Sequence, residues 1–213
     1  YEPGSVFKVI TSASAIEENL INLENDSFYC SGSVTIAGAE PIHCHDWSGH
    51  GSQTFQQALT NSCNPAFMEI GSRLGIQKFC YYYEAFGLKE RTGIDLPAEG
   101  VGIGFEAEDM SEVDLAVSAF GQGVTLTPME MITSYCAAIN GGYLLEPYVV
   151  DKVVDEDGNI VRRLSSPKED DWGLVMKKTQ AGIDASGGTV GEYIYGNLVK
   201  NPSEKVKGGF VKT

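Results

Sequence analysis

The punctuation of the helices constrains this chain more than any other feature. Thr127-Pro128-Met129-Glu130 combines a capping threonine, a proline at the first helical position and a glutamate three residues after the cap. That combination satisfies two otherwise orphaned backbone N–H groups, so it fixes where the helix begins. The pattern predicts a helix to Ala138, stopped by Asn140-Gly141-Gly142. Other helical patterns are punctuated in the same way. Phe7, Ile10, Ala13 and Ala15 give an apolar side to a helix from Ser5 to about Glu18, opened by Pro3-Gly4. Helices are also expected at Phe55 to Leu59, at Pro65 to Leu74 before Gly75, and at Gln77 to Phe86 before Gly87. A short one around Leu115 to Phe120 runs into Gly121-Gln122-Gly123. Periodicity supplies each element; glycine supplies the stop at Gly75 and Gly87, and the first helix closes near Asn19.

Between and after these helices lie strand signals. Ser27 to Trp47 reads as short strands and turns ending in the Gly49-His50-Gly51 loop, and Gly93 to Phe105 as a loop rich in Gly and Pro. Tyr148 to Val154 and Ile160 to Arg163 form a hairpin around Asp155-Glu156-Asp157-Gly158-Asn159. Ser165 to Asp171 is polar and expected at the surface; a helical pattern follows from Trp172 to about Ala181, and Val206 to Thr213 is a last strand candidate. Helices in the middle and strands toward the end imply an α+β fold, a helical cluster packed on an antiparallel sheet. One domain over residues 1–213 accounts for the length and for the 42% apolar content.

Charge narrows the partners. A net charge of −14 without any Lys/Arg cluster argues against nucleic acid, whose phosphates need a basic surface. No apolar run approaches the roughly 18 residues of a membrane helix and no signal peptide opens the chain, so it is expected to be soluble. Cys30, Cys44, Cys63, Cys80 and Cys136 are odd in number and contain no CxxC pair. Cys80 and Cys136 sit in apolar helical patterns and are expected in the core as small hydrophobes. Cys30 and Cys44 flank Ser33 to Gly38 and are placed to form a disulfide where the compartment is oxidising; the sequence leaves both redox states open. His43, Cys44, His45 and His50 lack the spacing of a metal site, and adjacent strand residues point to opposite faces, so no metal is expected. Tyr81-Tyr82-Tyr83 reads as helix packing plus surface.

Two groups of residues carry chemistry. Ser5-Val6-Phe7-Lys8 at a helix start puts a hydroxyl and an amine on one face, three residues apart. Serine is a weak nucleophile until a base takes its proton, and a lysine kept neutral by burial can do so. Ser62-Cys63-Asn64 lies between two helices and before Pro65, so its side chains can enter a cleft. A hydroxyl there can relay a proton to a leaving amine and an amide can hold a substrate carbonyl. Asn64 ahead of Pro65 also reads as a helix cap.

Tyr1-Glu2-Pro3-Gly4-Ser5-Val6-Phe7-Lys8, Ser62-Cys63-Asn64-Pro65-Ala66-Phe67 and Phe120-Gly121-Gln122-Gly123-Val124-Thr125-Leu126-Thr127-Pro128 together resemble the transpeptidase domain of class B penicillin-binding proteins. Gly49-His50-Gly51, Thr92-Gly93-Ile94-Asp95-Leu96-Pro97 and Asn140-Gly141-Gly142 extend the likeness over most of the chain. The family's third motif, Lys-Thr-Gly or Lys-Ser-Gly, has no intact copy. Lys212-Thr213 is its preferred counterpart over Lys178-Thr179, since a strand edge is needed to pair with an extended peptide. The family's first strands and membrane-anchored segment are also missing, so the chain reads as a partial domain.

The resemblance implies the serine β-lactamase and penicillin-binding transpeptidase fold and D,D-transpeptidation of peptidoglycan pentapeptide stems, without cofactor. Ser5 would be the nucleophile, Lys8 its base, Ser62 the proton carrier and Asn64 the holder of the substrate amide. Lys212 and Thr213 would bind the terminal carboxylate and keep Lys8 neutral. The Ser5 N–H and one from beyond Lys212 would form the oxyanion hole. β-Lactam antibiotics would acylate Ser5. The implied setting is the extracytoplasmic face of the cell membrane, with the cell-wall synthesis machinery engaged through regions outside this chain. A non-catalytic β-lactam sensor and a serine β-lactamase are the alternatives, and no residue presents itself as a deacylating base.

Overall fold

The structure is a computed structural model that describes residues 1–163 and 173–174. A 3-10 turn over Gly4–Phe7 leads directly into α1, Lys8–Glu17, so the helix expected from Ser5 begins with a tighter turn. Small side chains let α1 run through the middle of the molecule, with every residue from Lys8 to Ala15 buried. Two of its buried hydroxyls bond to backbone: Thr11 donates to the Ala119 carbonyl and Ser14 to that of Ile10, each at 2.8 Å.

Two apolar clusters flank this central helix. Phe7, Val9, Ile10 and Ala13 pack with Leu74, Phe79, Tyr83, Phe86, Leu126 and Met131. Ala15 packs on the other side with Phe28, Phe55, Phe67, Ile70, Ala116 and Phe120. Helix α2, Phe55–Thr60, opens on a capping box between Thr54 and Gln57. Helix α3, Asn64–Ala85, is interrupted at Gly75, with φ 75° and ψ 161°. It is therefore the pair of helices that the sequence pattern separates there. Helix α4, Glu112–Ser118, begins ahead of the expected Leu115, because Ser111 and Asp114 form a capping box. Helix α5, Pro128–Ile139, opens on Thr127 and Glu130 as expected. The buried Glu130 carboxylate accepts from the N–H of Thr127 at 2.6 Å and of Gly102 at 2.9 Å, so the cap also holds the loop before α4.

Strands among the described residues form four two-stranded antiparallel pairs. These are β1 (Ser27–Cys30) with β4 (Gly51–Thr54), and β2 (Ser33–Val34) with β3 (Ile42–His43). Further along, β5 (Tyr143–Leu144) pairs with β8 (Gly173–Leu174), and β6 (Lys152–Val154) with β7 (Ile160–Arg163). With the helices they make an α+β molecule. The β6–β7 hairpin is present, with a first strand shorter than Tyr148 to Val154. Residues of the Gly49-His50-Gly51 loop run into β4. Gly173 and Leu174 correct the helix expected from Trp172, since pairing with Tyr143 and Leu144 overrides local periodicity. The rest of that span, Ser165 to Asp171, Lys178-Thr179 and the strand expected at Val206 to Thr213 lie outside the described residues.

All five cysteines are free thiols, so Cys30 and Cys44 are not joined here. Cys80 is buried as expected, but Cys136 is exposed. On α5 the core side is set by Met131, Ser134, Ala137 and Ala138, and Cys136 falls on the opposite face with exposed Ile132, one turn away. Tyr82 and Tyr83 are buried while Tyr81 is exposed. No helix among the described residues is long and apolar enough to cross a membrane.

Candidate active site

Three side chains and one backbone carbonyl meet around one amine. Lys8 Nζ lies 2.9 Å from Ser5 Oγ, 2.8 Å from Ser62 Oγ, 2.8 Å from the Ser62 carbonyl oxygen and 2.8 Å from Asn64 Oδ1. Ser62 Oγ is also 2.8 Å from Ser5 Oγ and donates to it. An ammonium has three hydrogens for these four oxygens. A neutral amine has two and a lone pair, which can accept the hydroxyl proton of Ser5. The arrangement therefore suits both states of a proton-transfer step.

Local structure explains the meeting. The 3-10 turn keeps Ser5 exposed and turns Lys8 inward, where it is 1% exposed because α1 is buried on all sides. Phe67 and Phe120 place ring faces 5.6 and 5.9 Å from Nζ. Burial is the largest influence on Lys8 and lowers it from 10.5 to about 8, with the charge that Cys44 and Cys63 carry when ionised acting in the opposite direction. A lysine at about 8 is roughly one-tenth neutral at pH 7, against about one part in three thousand at 10.5. The site thus contains a base of useful strength next to an accessible hydroxyl.

The second wall is the turn between α2 and α3. Ser62 has φ 49°, a left-handed conformation uncommon for a residue with a side chain. The capping position of α3 belongs to Cys63, and Asn64 is the first helical residue, which corrects the reading of Asn64 as the cap. Its amide is instead committed to the site. Oδ1 accepts from Lys8 and Nδ2 donates to the His43 carbonyl at 3.3 Å.

The backbone ahead of Ser5 is strapped to a distant segment. Gly4 N–H donates to the Gly121 carbonyl at 2.8 Å, Leu126 N–H to the Tyr1 carbonyl at 2.8 Å, and Gly123 N–H to Glu2 Oε1 at 3.0 Å. Gly121 has φ 87°, and a Cβ there would come within 2.1 Å of the Gly4 carbonyl oxygen, so no other residue fits. The Phe120-Gly121-Gln122-Gly123 block, which the sequence offers as a helix exit and as part of the family likeness, is thus part of the site's frame.

Ser5, Lys8, Ser62 and Asn64 converge as the sequence predicts. Lys212 and Thr213 lie outside the described residues. Of the discarded metal set, His43 stacks on Trp47 at 4.1 Å, while Cys44 and His50 approach one another at 3.6 Å, Sγ to Nδ1.

Comparison with known proteins agrees with the geometry. The family model of the penicillin binding protein transpeptidase domain matches residues 1–183. Stage V sporulation protein D of Bacillus subtilis is 46% identical over 155 residues, 73% of this chain and 24% of that protein. The D,D-transpeptidase domain of a peptidoglycan glycosyltransferase from Eggerthella lenta superposes with a TM-score of 0.78 at 28% identity, covering 94% of this chain and 49% of that one. Penicillin binding protein 3 of Mycobacterium tuberculosis, crystallised with aztreonam, gives 0.78 at 26% identity over 95% of this chain and 42% of that one. The chain spans about a quarter of the length of the curated relatives it matches.

Proposed function

The chain belongs to the penicillin-binding protein transpeptidase family, and from that premise we propose that the whole protein is a serine D,D-transpeptidase of peptidoglycan with Ser5 as its nucleophile. The observation that carries the proposal is the convergence of Ser5, Ser62 and Asn64 on the buried amine of Lys8 at 2.8–2.9 Å.

In this reading neutral Lys8 takes the proton of Ser5 Oγ as that oxygen attacks the carbonyl between two D-alanines of a stem peptide. The C–O bond forms and the carbonyl pair moves to oxygen. Collapse of the tetrahedral species breaks the C–N bond, and the proton passes from Lys8 through Ser62 Oγ to the leaving nitrogen. Ser62 suits that transfer, being 2.8 Å from both Lys8 Nζ and Ser5 Oγ. Terminal D-alanine departs, and an amine from a second stem attacks the ester, regenerating Ser5. Asn64 holds the substrate amide, and Lys212 with Thr213 binds the terminal carboxylate. A β-lactam opens on Ser5 by the same first step. The substrate places this catalytic domain outside the cytoplasmic membrane, and contacts with the wall-synthesis machinery are assigned to other parts of the protein.

Treating the full-length protein with a fluorescent penicillin and following its mass over time tests this. The expected result is one adduct, mapped to Ser5, that persists for many minutes and is absent from Ser5→Ala. Rapid loss of the adduct would make the protein a hydrolase, and labelling elsewhere or nowhere would overturn the assignment.

A further inference from the structure

Behind the Ser62 turn lies a cluster that acyl transfer does not use. The sulfurs of Cys30, Cys44 and Cys63 and a ring nitrogen of His50 all lie within 4.8 Å of one another. We propose that these four side chains form a tetrahedral zinc site that fixes the turn carrying Ser62 and Asn64.

The chain is folded locally to bring them together. Cys30 is an inward residue at the end of β1, and its partner in β4 is Gly51, which sets His50 beside it. Cys44 is drawn in by its N–H, which donates to the Gly32 carbonyl at 2.8 Å. The segment from Cys44 to His50 lies backbone against backbone on the end of β1: a Cβ on Gly49 would come within 2.5 Å of the Cys30 carbonyl oxygen. Cys63 arrives from the opposite side, at the capping position of α3. Four ligands thus come from three separate parts of the fold.

The donor set has the chemistry of a structural zinc site. Three thiolates and one imidazole in tetrahedral array are a standard zinc environment, and soft sulfur selects against magnesium and calcium. Bonds of about 2.3 Å to sulfur and 2.0 Å to nitrogen require ligand separations near 3.8 Å, so closure from 4.8 Å needs only about 1 Å of side-chain adjustment. His50 already presents Nδ1 at 3.6 Å from Cys44 Sγ. The three cysteines are at most 1% exposed and His50 is half-buried, as in a closed site without an open coordination position. Binding displaces the thiol protons to solvent. Gln53 adds an outer partner: its Nε2 is buried without a hydrogen-bond partner and lies beside the Cys63 sulfur. An N–H beside a ligand sulfur is a usual outer-sphere contact.

The consequence falls on the neighbouring site. Cys63 sits between Ser62, in its left-handed conformation, and Asn64, and both touch Lys8. Tying the Cys63 sulfur to β1 and to the segment after β3 would hold that turn in register with Ser5. The cysteines then act as positioning residues, with no contact to substrate.

Metal analysis of the full-length protein, purified with its thiols protected, should find one zinc per chain. Cobalt in its place should give the intense visible bands of tetrahedral thiolate coordination. Cys30→Ser should lose the metal, whereas Cys136→Ser, on an exposed face of α5 and outside the group of four, should keep it. Removing the metal should slow penicillin acylation at least tenfold, and adding zinc should restore the rate. The cobalt spectrum of the unmutated protein stands even where a cysteine variant fails to fold, and it is independent of whether Ser5 is acylated. Zinc-treated protein that binds no metal and titrates as free thiols would overturn the proposal. So would zinc retained by Cys30→Ser, or a mass short by two hydrogens that reveals a disulfide.

Discussion

Replacing Asn64 by aspartate should shift the pH dependence of Ser5 acylation without displacing any heavy atom. Asn64 Oδ1 lies 2.8 Å from Lys8 Nζ, so the variant sets a carboxylate against the amine at the same distance. An opposite charge this close favours the protonated form by about one to three pKa units. From a starting value of about 8, Lys8 would move to between roughly 9 and 11. In the proposed mechanism neutral lysine is the base, so its supply at pH 7 falls about tenfold to a thousandfold, and the acylation rate falls with it. The sign is definite: raising the lysine pKa moves the rising limb of the rate profile to higher pH. Asn64→Ala removes an acceptor of the ammonium and should move the limb the other way. Stopped-flow acylation by a fluorescent penicillin, from about pH 6 to about pH 10, reads both shifts. A uniform loss at every pH with an unmoved midpoint would refute Lys8 as the titrating base.

Two changes test the frame rather than the chemistry. Gly121→Ala sets a Cβ within 2.1 Å of the Gly4 carbonyl oxygen at φ 87°; it should destabilise by about 3 kcal/mol and depress acylation in the fraction that remains folded, read by calorimetry and labelling. Thr127→Ala removes the oxygen that accepts from Glu130 N–H at 3.1 Å; it should cost about 1 kcal/mol, a Tm decrease of roughly 2–4 °C, and leave acylation unchanged.

Local punctuation was readable because its physics is local. Thr127 with Glu130 and the break at Gly75 need only neighbouring residues, and both appear where the sequence puts them. The Ser111–Asp114 box carries the same kind of signal with an aspartate in the usual glutamate position, so α4 begins earlier than its apolar pattern suggests. Ser5 and Lys8 were legible from spacing on one helix, and Ser62 and Asn64 from residue type. That both pairs share one amine is a tertiary fact. Asn64 ahead of Pro65 reads both as a cap and as a site residue; the backbone gives the cap to Cys63 and leaves the amide for Lys8. The cysteine cluster escaped for a related reason. Argued as a run, His43 to His50 points in alternate directions, and the members that converge do so with Cys30 and Cys63, whose approach depends on the β1–β4 register and the turn before α3. Gly173 and Leu174 show the limit of periodicity, since a strand partner thirty residues earlier decides their conformation.

The strap between Gly4 and Gly121 also has a bearing on the order of folding. It closes a loop of more than a hundred residues, for which the length-dependent entropy alone is about 4 kcal/mol. Such a closure becomes favourable only once the helices in between have packed. Ser5 is therefore among the last groups to settle, and a chain still folding presents no assembled cluster of Ser5, Lys8 and Ser62.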